Sequence, residues 1–341
     1  MTDLVAGELA SVDVEVDEPP EALLEEYRRE LTGYCYRMLG SAFDAEDAVQ
    51  ETMVRAWRAA DRFEGRSSYR SWLYRIATNV CFDSLNGRRR RALPMDLAGP
   101  SAPVEASIGA PLAEGTWLEP FPDARMLTET ADPADMVVAR ESVRLAFVAA
   151  LQLLPPRQRA VLVLREVLRW KADEVADLLD TSVASVNSAL QRARATMSAH
   201  HQRDPGTAPE EMDAEHADLL ERYVVAFEAY DIDALVALLH EDATQCMPPF
   251  ALWLNGPVDI RRWHDGPGRG CRGSRVLRVH ANGQPALAQY RPPQDGSAEN
   301  PRWLPFCLHV LEVRDGRIAS ITNFLDTRLF RLFGLPDHLP A

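Results

Sequence analysis

The sequence predicts a multidomain protein with two all-α domains, the second a helix-turn-helix, followed by a C-terminal α+β domain. Apolar residues recur with the 3.6-residue helical period in two blocks, residues 21–91 and 136–200. A stretch rich in proline, alanine, glycine and acids, residues 92–135, separates them and is typical of an extended linker. From residue 209 onwards helices come first, and alternating runs around an Asn-Gly and an Asp-Gly pair then predict β-hairpins.

Length and composition place the chain among globular proteins. Its 341 residues are 46% hydrophobic and 26% charged, enough for two or three domains of about 100–200 residues. No apolar run approaches the roughly 18 residues of a membrane span, and residues 1–20 carry acids where a secretory signal carries bases. We therefore expect a cytoplasmic protein without a membrane partner, whose residues 1–20 are a disordered acidic tail. Five scattered cysteines predict free thiols and no metal site.

Positive charge is local in a chain whose formal net charge is −14. Residues 21–91 hold 13 bases and 11 acids, and residues 136–203 hold 10 and 6, whereas the flanking segments are acidic. Because a nucleic-acid footprint is local, these two blocks are the candidate binding units. The first ends in four consecutive arginines, which suit phosphate contacts but would also complement the negative end of a helix dipole.

The first block contains an amphipathic helix, "DAEDAVQETMVRAWR", with Asp44 as its expected cap. Its predicted buried positions are Ala45, Ala48, Val49, Thr52 and Ala56. The opposite face carries Asp47, Gln50 and Glu51, which taken alone would be a solvated surface. A polar loop and a second helix follow.

The second block predicts a helix over residues 174–179, a turn over 180–182 and another helix over 184–197. The predicted buried positions are Val175, Ala176, Leu179, Val183, Val186, Leu190 and Ala193. On or beside the exposed face of the second helix lie Ser185, Asn187, Ser188, Gln191, Arg192 and Arg194. Small polar residues near a helix start, with arginines later, suit a major-groove reader, although an ordinary helical hairpin has the same period.

Together the two blocks resemble the extracytoplasmic-function (ECF) sigma factors, specificity subunits of bacterial RNA polymerase. The resemblance rests on three motifs, "DAEDAVQETMVRAWR", "FEGRSSYRSWLYRIATNVCFDSLNGRRRR" and "LPPRQRAVLVLREVLRWKADEVADLLDTSVASVNSALQRAR". The resemblance implies sigma region 2 over residues 21–91, which binds core polymerase and melts the −10 element, and sigma region 4 over 136–200, which reads the −35 element. In this family the intervening linker threads through polymerase channels.

The resemblance also implies residue roles. The polymerase-binding residues would be Asp47, Gln50 and Glu51. The −10 contacts would be Phe63, Ser67, Trp72, Asn79, Asp83, Arg88, Arg89, Arg90 and Arg91. The −35 contacts would be the six polar and basic residues named for the second helix of the helix-turn-helix. The implied partners are bacterial core RNA polymerase and promoter DNA.

Residues 209–341 resemble the SnoaL-like, ketosteroid-isomerase-like cone fold, which some sigma factors carry as an extension. Enzymes of this fold place an acid or a histidine in the cone, and the candidates here are His264, His280, His309 and Asp326. No two have a readable catalytic spacing, so we expect no enzyme, no catalytic residue and no cofactor. Cys246, Trp253 and His309 are the expected lining of a pocket.

We therefore predict an alternative sigma factor that directs promoter recognition, melting and initiation, with its output tuned by the SnoaL-like domain through a small-molecule ligand or a protein partner. The alternative is a helix-turn-helix transcription regulator with a ligand-binding or enzymatic SnoaL-like domain.

Overall fold

The computed structural model describes residues 20–63, 65, 67–127, 133–201, 214–293 and 302–340. The predicted fold class is confirmed: two helical domains precede an α+β domain built on one six-stranded sheet. The predicted acidic tail lies outside the described residues except for Pro20. No helix in the described ranges is long and apolar enough to cross a membrane.

The first domain is a three-helix unit. Its helices are α1 (Pro20–Leu39), α2 (Ala42–Ala59) and α3 (Tyr69–Leu85). The five predicted core positions of α2 are all buried. The predicted cap was wrong, because the chain enters α2 directly after a left-handed turn at Gly40 (φ 66°). Ser41 is the cap, and its Oγ accepts a hydrogen bond from Asp44 N at 3.1 Å.

The second helical domain contains the helix-turn-helix. After the four-residue helix α4 (Asp123–Met126), the helices are α5 (Pro133–Glu141), α6 (Leu145–Leu151), α7 (Pro156–Leu162), α8 (Ala172–Leu178) and α9 (Val183–His201), with a π-helical turn over Val163–Val167. Six of the seven predicted core positions are buried, but Val183 is 42% exposed. The prediction for Val183 was wrong because this residue is the first of α9, ahead of the turn that packs against α8.

The C-terminal domain wraps helices around a bent sheet. Its elements are α10 (Ala214–Ala229), α11 (Ile232–Ala237), β1 (Leu239–Cys246), β2 (Trp253–Asn255), α12 (Pro257–Asp265), β3 (Arg275–Ala281), β4 (Gln284–Arg291), β5 (Leu304–Arg314), β6 (Arg317–Phe324) and α13 (Arg328–Leu332). The strand order is β2-β1-β6-β5-β4-β3, and β1 pairs with β6 in parallel while the other neighbours are antiparallel. Both predicted hairpins are present.

The turn residues explain both hairpins. Asn282 and Gly283 have φ values of 58° and 68°, and Asp315 and Gly316 have 52° and 66°. Two consecutive left-handed residues are what a two-residue hairpin turn requires, and Asn, Asp and Gly adopt them most readily. The two turns nevertheless differ in their surroundings, since Asn282 is fully buried and Asp315 is exposed.

The sheet is covered on both faces, which positions the C-terminal domain against the rest of the chain. On β4, Ala286, Ala288 and Tyr290 belong to one continuous apolar cluster with the helical domains. Leu287, which points to the opposite face, packs in a second cluster with α10 and α12. Every residue of β4 except Arg291 is buried as a result.

The segment between the helical domains is docked on the C-terminal domain. Trp253 Nε1 donates to Ala98 O at 2.8 Å, and Ser101 N donates to Trp253 O at 2.8 Å. Farther along, Leu112 N and Trp117 Nε1 both donate to Pro249 O at 2.9 Å. The chain then returns to the first domain, where Ala92 and Trp117 form an isolated bridge. Residues 98–117 therefore form a loop pinned to the cone.

Candidate promoter and polymerase surfaces

The recognition face of the helix-turn-helix is polar and accessible. Ser182 caps α9 by accepting a hydrogen bond from Ser185 N at 3.2 Å. All six residues predicted to read the −35 element are exposed: Ser185, Asn187, Ser188, Gln191, Arg192 and Arg194. Arg194 forms an ion pair with Glu166 of the π-helical turn. Arg192 has no carboxylate partner among the described residues, so its guanidinium is available for a phosphate or a base edge.

A cluster of partly exposed aromatic rings lies at the start of α3. Phe63, Tyr69 and Trp72 have pairwise ring-centroid distances of 5.2–5.5 Å. Sequence analysis named Phe63 and Trp72 individually but not Tyr69, whose buried hydroxyl has no hydrogen-bond partner among the described residues. Ser67 is exposed beside the cluster. Partly exposed rings offer faces on which an unstacked base can stack.

Two further −10 candidates, Asn79 and Asp83, lie exposed on α3. Asp83 Oδ2 is 3.4 Å from Arg55 Nη1, an exposed contact that contributes little to stability. The face of α3 that carries both residues is thus accessible to a partner.

The four arginines after α3 divide into two kinds. Arg89 and Arg90 are exposed, with no ion pair among the described residues. Arg88 Nη1 lies 2.7 Å from Asp44 Oδ2 with its side chain half exposed. Arg91 is held by Asp44 at 2.8 Å and by Trp117 O at 2.7 Å, and its side chain is only 10% exposed. The prediction that all four face DNA is therefore not supported for Arg91, which joins α2 to the docked loop.

The predicted polymerase-binding residues lie on an exposed face of α2. Asp47 and Gln50 line a surface groove with Arg125 of α4. Glu51 is exposed and pairs with Arg55 at 2.7 Å. The same helix exposes 59% of Trp57, which sequence analysis missed. The signal was available, because Trp57 lies off the apolar stripe of α2, and exposed aromatic residues are enriched at interfaces.

The two helical domains are in direct contact. Tyr74 of α3 and Trp170, which precedes α8, have ring centroids 4.9 Å apart. The Arg70 guanidinium lies 5.1 Å from the Trp170 ring, and Arg75 Nη2 donates to Asp177 O at 2.9 Å. Arg37 of α1 donates to Ser142 Oγ at 2.7 Å in a buried contact. Helix α3 is thereby held against the helix-turn-helix domain.

The turn between β3 and β4 occupies a buried junction between both helical domains and the docked segment. Asn282 Nδ2 donates to Tyr36 OH at 2.6 Å and to Val143 O at 2.7 Å. Asn282 Oδ1 accepts from Phe121 N at 2.9 Å, and Asn282 N donates to Phe121 O at 3.1 Å. One side chain of the C-terminal domain therefore contacts α1, the chain before α4 and the chain before α6. The Asn-Gly signal predicted this turn but not what it touches.

An acidic group at this junction predicts that packing of the C-terminal domain against the helical domains depends on pH. Asp123 Oδ1 accepts a hydrogen bond from Gly283 N at 2.8 Å. Burial raises the pKa of Asp123 to about 6, although the Gly283 N–H and the charges of His280 and Arg140 act in the opposite direction. The packed form therefore binds a proton more tightly than an opened form in which Asp123 is solvated.

We expect acidification from pH 7 to pH 4 to stabilise the packed form, by up to roughly 2–3 kcal/mol at about 1.4 kcal/mol per pKa unit. This stabilisation of the packed form is absent above about pH 6, and it grows below pH 6 as Asp123 takes up its proton. Protease sensitivity of the segment between the helical domains, measured against pH, tests this. Asp123→Asn should protect the segment at pH 7 and flatten its pH profile. An unchanged profile in that variant would contradict the assignment.

The C-terminal domain encloses a cavity of about 200 Å³. His309 lines it as predicted, together with His264. The prediction was wrong for the other two residues. Cys246 is fully buried beside Thr322, 3.6 Å from its Oγ1, and Trp253 lies outside the cone where it binds Ala98. Both lie on the β1–β2 hairpin, whose side chains at these positions point away from the cone interior.

Comparison with known proteins agrees with this architecture. The sequence matches Sigma-70 region 2 over residues 23–91, Sigma-70 region 4 over residues 144–197 and the SnoaL-like domain over residues 220–321. It is 50% identical over 319 residues to the ECF RNA polymerase sigma factor SigG of Mycobacterium tuberculosis, covering 92% of this chain and 83% of that protein. SigJ of the same species is 32% identical over 220 residues, 64% of this chain and 62% of that protein.

The fold also resembles the crystal structure of M. tuberculosis SigJ. That similarity has a TM-score of 0.59 at 24% identity and covers 93% of this chain and all of that one. A three-helix region 2, a helix-turn-helix region 4 and their exposed polar faces define a promoter-specificity subunit. The chain belongs to the ECF family of RNA polymerase sigma factors and carries a C-terminal SnoaL-like domain.

The protein is thus a non-enzymatic transcription factor that binds core RNA polymerase and directs promoter recognition, melting and initiation. The alternative of a helix-turn-helix regulator with an unrelated N-terminal domain is set aside, because residues 23–91 match region 2.

Proposed function

We propose that the SnoaL-like domain tunes this sigma factor by holding regions 2 and 4 in a closed form that does not read a promoter. The observation that carries the proposal is the buried Asn282 junction, where one turn of the C-terminal domain hydrogen-bonds to both helical domains and to the chain between them. A domain that only accompanied the sigma core would have no need of such a contact.

Distance along DNA supports the proposal. The −10 and −35 elements are roughly 25 base pairs apart, which is ~85 Å of duplex at about 3.4 Å per base pair. In the closed form, Arg75 of the −10 helix donates directly to Asp177 of the helix-turn-helix. Helices in contact cannot lie on two elements so far apart, so initiation requires the domains to separate.

The docked segment supports it in a second way. Arg125 of α4 pairs with Glu46 at 2.7 Å, directly beside the predicted polymerase-binding residue Asp47. Residues 98–117 are pinned to the cone and cannot extend through a polymerase channel in the same state. Polymerase binding and closure therefore compete for the same segment.

In the released form, residue roles follow the exposed surfaces. We assign polymerase binding to Asp47, Gln50 and Glu51, with Trp57 as an added apolar anchor. Contacts to the −10 element are assigned to Ser67, the aromatic cluster, Asn79, Asp83 and Arg88–Arg90. Contacts to the −35 element are assigned to the exposed face of α9. Because bacterial polymerase works in the cytoplasm, we place the protein there.

In-vitro transcription tests the proposal. Core polymerase free of other sigma factors is combined with the full chain or with a chain ending at His201, on the same promoter fragments. We expect both forms to initiate at the same sites, and the truncated form to initiate more strongly per molecule of active protein. Equal or lower output from the truncated form, with equal polymerase affinity, would contradict the closed-form proposal while leaving the sigma activity in place.

The arginine run gives a separate prediction. Replacing Arg89 and Arg90 together by alanine should weaken promoter binding by the assembled holoenzyme and reduce the slope of log affinity against log salt by about 2, since each lost phosphate contact removes about 0.9. Fluorescence anisotropy over a series of salt concentrations measures this slope.

Arg222 and Arg331, exposed arginines of the C-terminal domain, provide the matched double-alanine control. An unchanged slope in the Arg89/Arg90 variant would mean that these arginines serve only the helix end and solubility.

A further inference from the structure

The cavity in the C-terminal domain is large enough for a small molecule. Its volume is about 200 Å³, and its walls come from α10, α12 and the inner face of the sheet. For comparison, an engineered apolar cavity of about 150 Å³ holds benzene. Aromatic and aliphatic side chains, including Phe227, Trp263 and Ile321, form most of the lining. A single substituted ring matches the space and its apolar walls.

Two buried acceptor atoms in this lining lack hydrogen-bond partners within the described part of the chain. Asn323 Oδ1 accepts no hydrogen bond from the described residues, and neither does His264 Nδ1. His264 Nε2 lies 3.3 Å from Gln245 Oε1 and so carries the ring proton, which leaves Nδ1 as an acceptor. Burial lowers the pKa of His264 to about 4, so the ring is neutral near pH 7. Buried acceptors without partners are costly, and a ligand with a donor group would satisfy them.

Among the described residues, the cavity lining also includes a positively charged side chain without an ion-pair partner. Arg291 lines it, with its guanidinium 3.8 Å from the centre of the Phe306 ring. Among the described residues, Arg291 Nη2 has a single hydrogen-bond contact, to the Cys271 sulfur at 3.7 Å, and Arg291 Nε is buried without a hydrogen-bond partner. None of the described lining residues is an acid. An arginine stacked on an aromatic ring with free N–H groups is suited to bind a carboxylate.

We propose that this cavity binds a small aromatic carboxylate that bears a hydrogen-bond donor such as a hydroxyl. Arg291 binds the carboxylate, the apolar walls enclose the ring, and Asn323 and His264 accept from the donor. The enzymatic alternative is not needed, since binding alone uses every group described.

The docked segment forms part of the wall of this cavity, which gives the ligand a regulatory effect. Ile108, from residues 98–117, lines the cavity and packs against the core of the cone. A ligand contacts Ile108 only while that segment is docked. By linkage, a ligand that binds the docked form better stabilises it. Building on the closed form proposed above, we infer that the ligand holds the segment in place and lowers transcription.

Calorimetric titration of the full chain with 4-hydroxybenzoate tests the site independently of polymerase. Benzoate lacks the donor, phenol lacks the carboxylate, and benzylamine carries the opposite charge. We expect 4-hydroxybenzoate to bind at least tenfold more tightly than any of the three. Absence of binding at millimolar concentration, or equal binding of phenol or benzylamine, would overturn the proposal.

Variants separate the site from the fold. Arg291→Gln should abolish binding, Arg291→Lys should restore part of it, and Arg331→Gln, an exposed change in the same domain, should leave it intact. Melting curves of the unliganded variants verify folding. Binding that persists in a folded Arg291→Gln variant would overturn the assignment of Arg291.

Transcription separates the ligand site from the closed form. We expect 4-hydroxybenzoate to lower initiation by the full chain several-fold, and to have no effect on the chain ending at His201 or on an Ile108→Ala full chain. Binding without any effect on transcription would overturn the regulatory step alone. If the closed-form proposal itself is wrong, the full and truncated chains should initiate equally strongly in the absence of ligand.

Discussion

Replacing Asn282 by alanine is expected to open the molecule and raise transcription. The change removes the three side-chain hydrogen bonds to Tyr36, Val143 and Phe121, leaving buried polar groups unsatisfied at about 1–3 kcal/mol each. At about 1.4 kcal/mol per factor of ten, the equilibrium between closed and open forms should shift at least tenfold. Small-angle scattering should show a larger radius of gyration, and in-vitro transcription a higher output.

Asp315→Ala is the matched control for this experiment. Asp315 occupies the same position in the β5–β6 turn, at a φ of 52° against 58° for Asn282, but it is exposed. Both variants lose the same preference for a left-handed turn, so the difference between them reports the junction. If both changed the radius and the output equally, turn strain would be the cause and the junction would have no regulatory role.

The second large effect is expected on the recognition helix. Arg192→Ala should cost about 1–3 kcal/mol of promoter binding, or roughly 5–150-fold, because Arg192 is exposed on α9 and has no carboxylate partner among the described residues. The loss should appear in transcription from promoters that depend on a −35 element. Competition between wild-type and mutated −35 sequences then shows whether specificity relaxes at one position.

Arg222→Ala, an exposed arginine on α10, should leave both measurements unchanged. If Arg192→Ala weakens binding to every −35 sequence by the same factor, Arg192 contacts only phosphate. An equal loss on promoters that lack the −35 element would contradict its place in the recognition face altogether.

Local patterns predicted much of the candidate site. The 3.6-residue period predicted that Gln50 and Gln191 are exposed, and both are exposed in the structure. The same reasoning failed for Arg91, because the sequence does not distinguish four consecutive arginines. Only the tertiary structure places Arg91 against Asp44 and Trp117. It also failed for Cys246 and Trp253, because the twist and bend of a sheet decide which side of a cone a residue faces.

The sequence by itself determined the fold class, the family, the helix-turn-helix and both hairpins, because these depend on periodicity and turn chemistry within short segments. Only the tertiary structure decided what the Asn282 turn touches, that residues 98–117 dock on the cone, and that Arg291, His264 and Asn323 surround one cavity. Asn282 and Asp315 each precede a glycine in a predicted hairpin turn, so the local sequence does not distinguish the buried turn from the exposed one. Contacts between residues separated by 139 or 246 positions leave no periodic trace, since they depend on how completed domains pack.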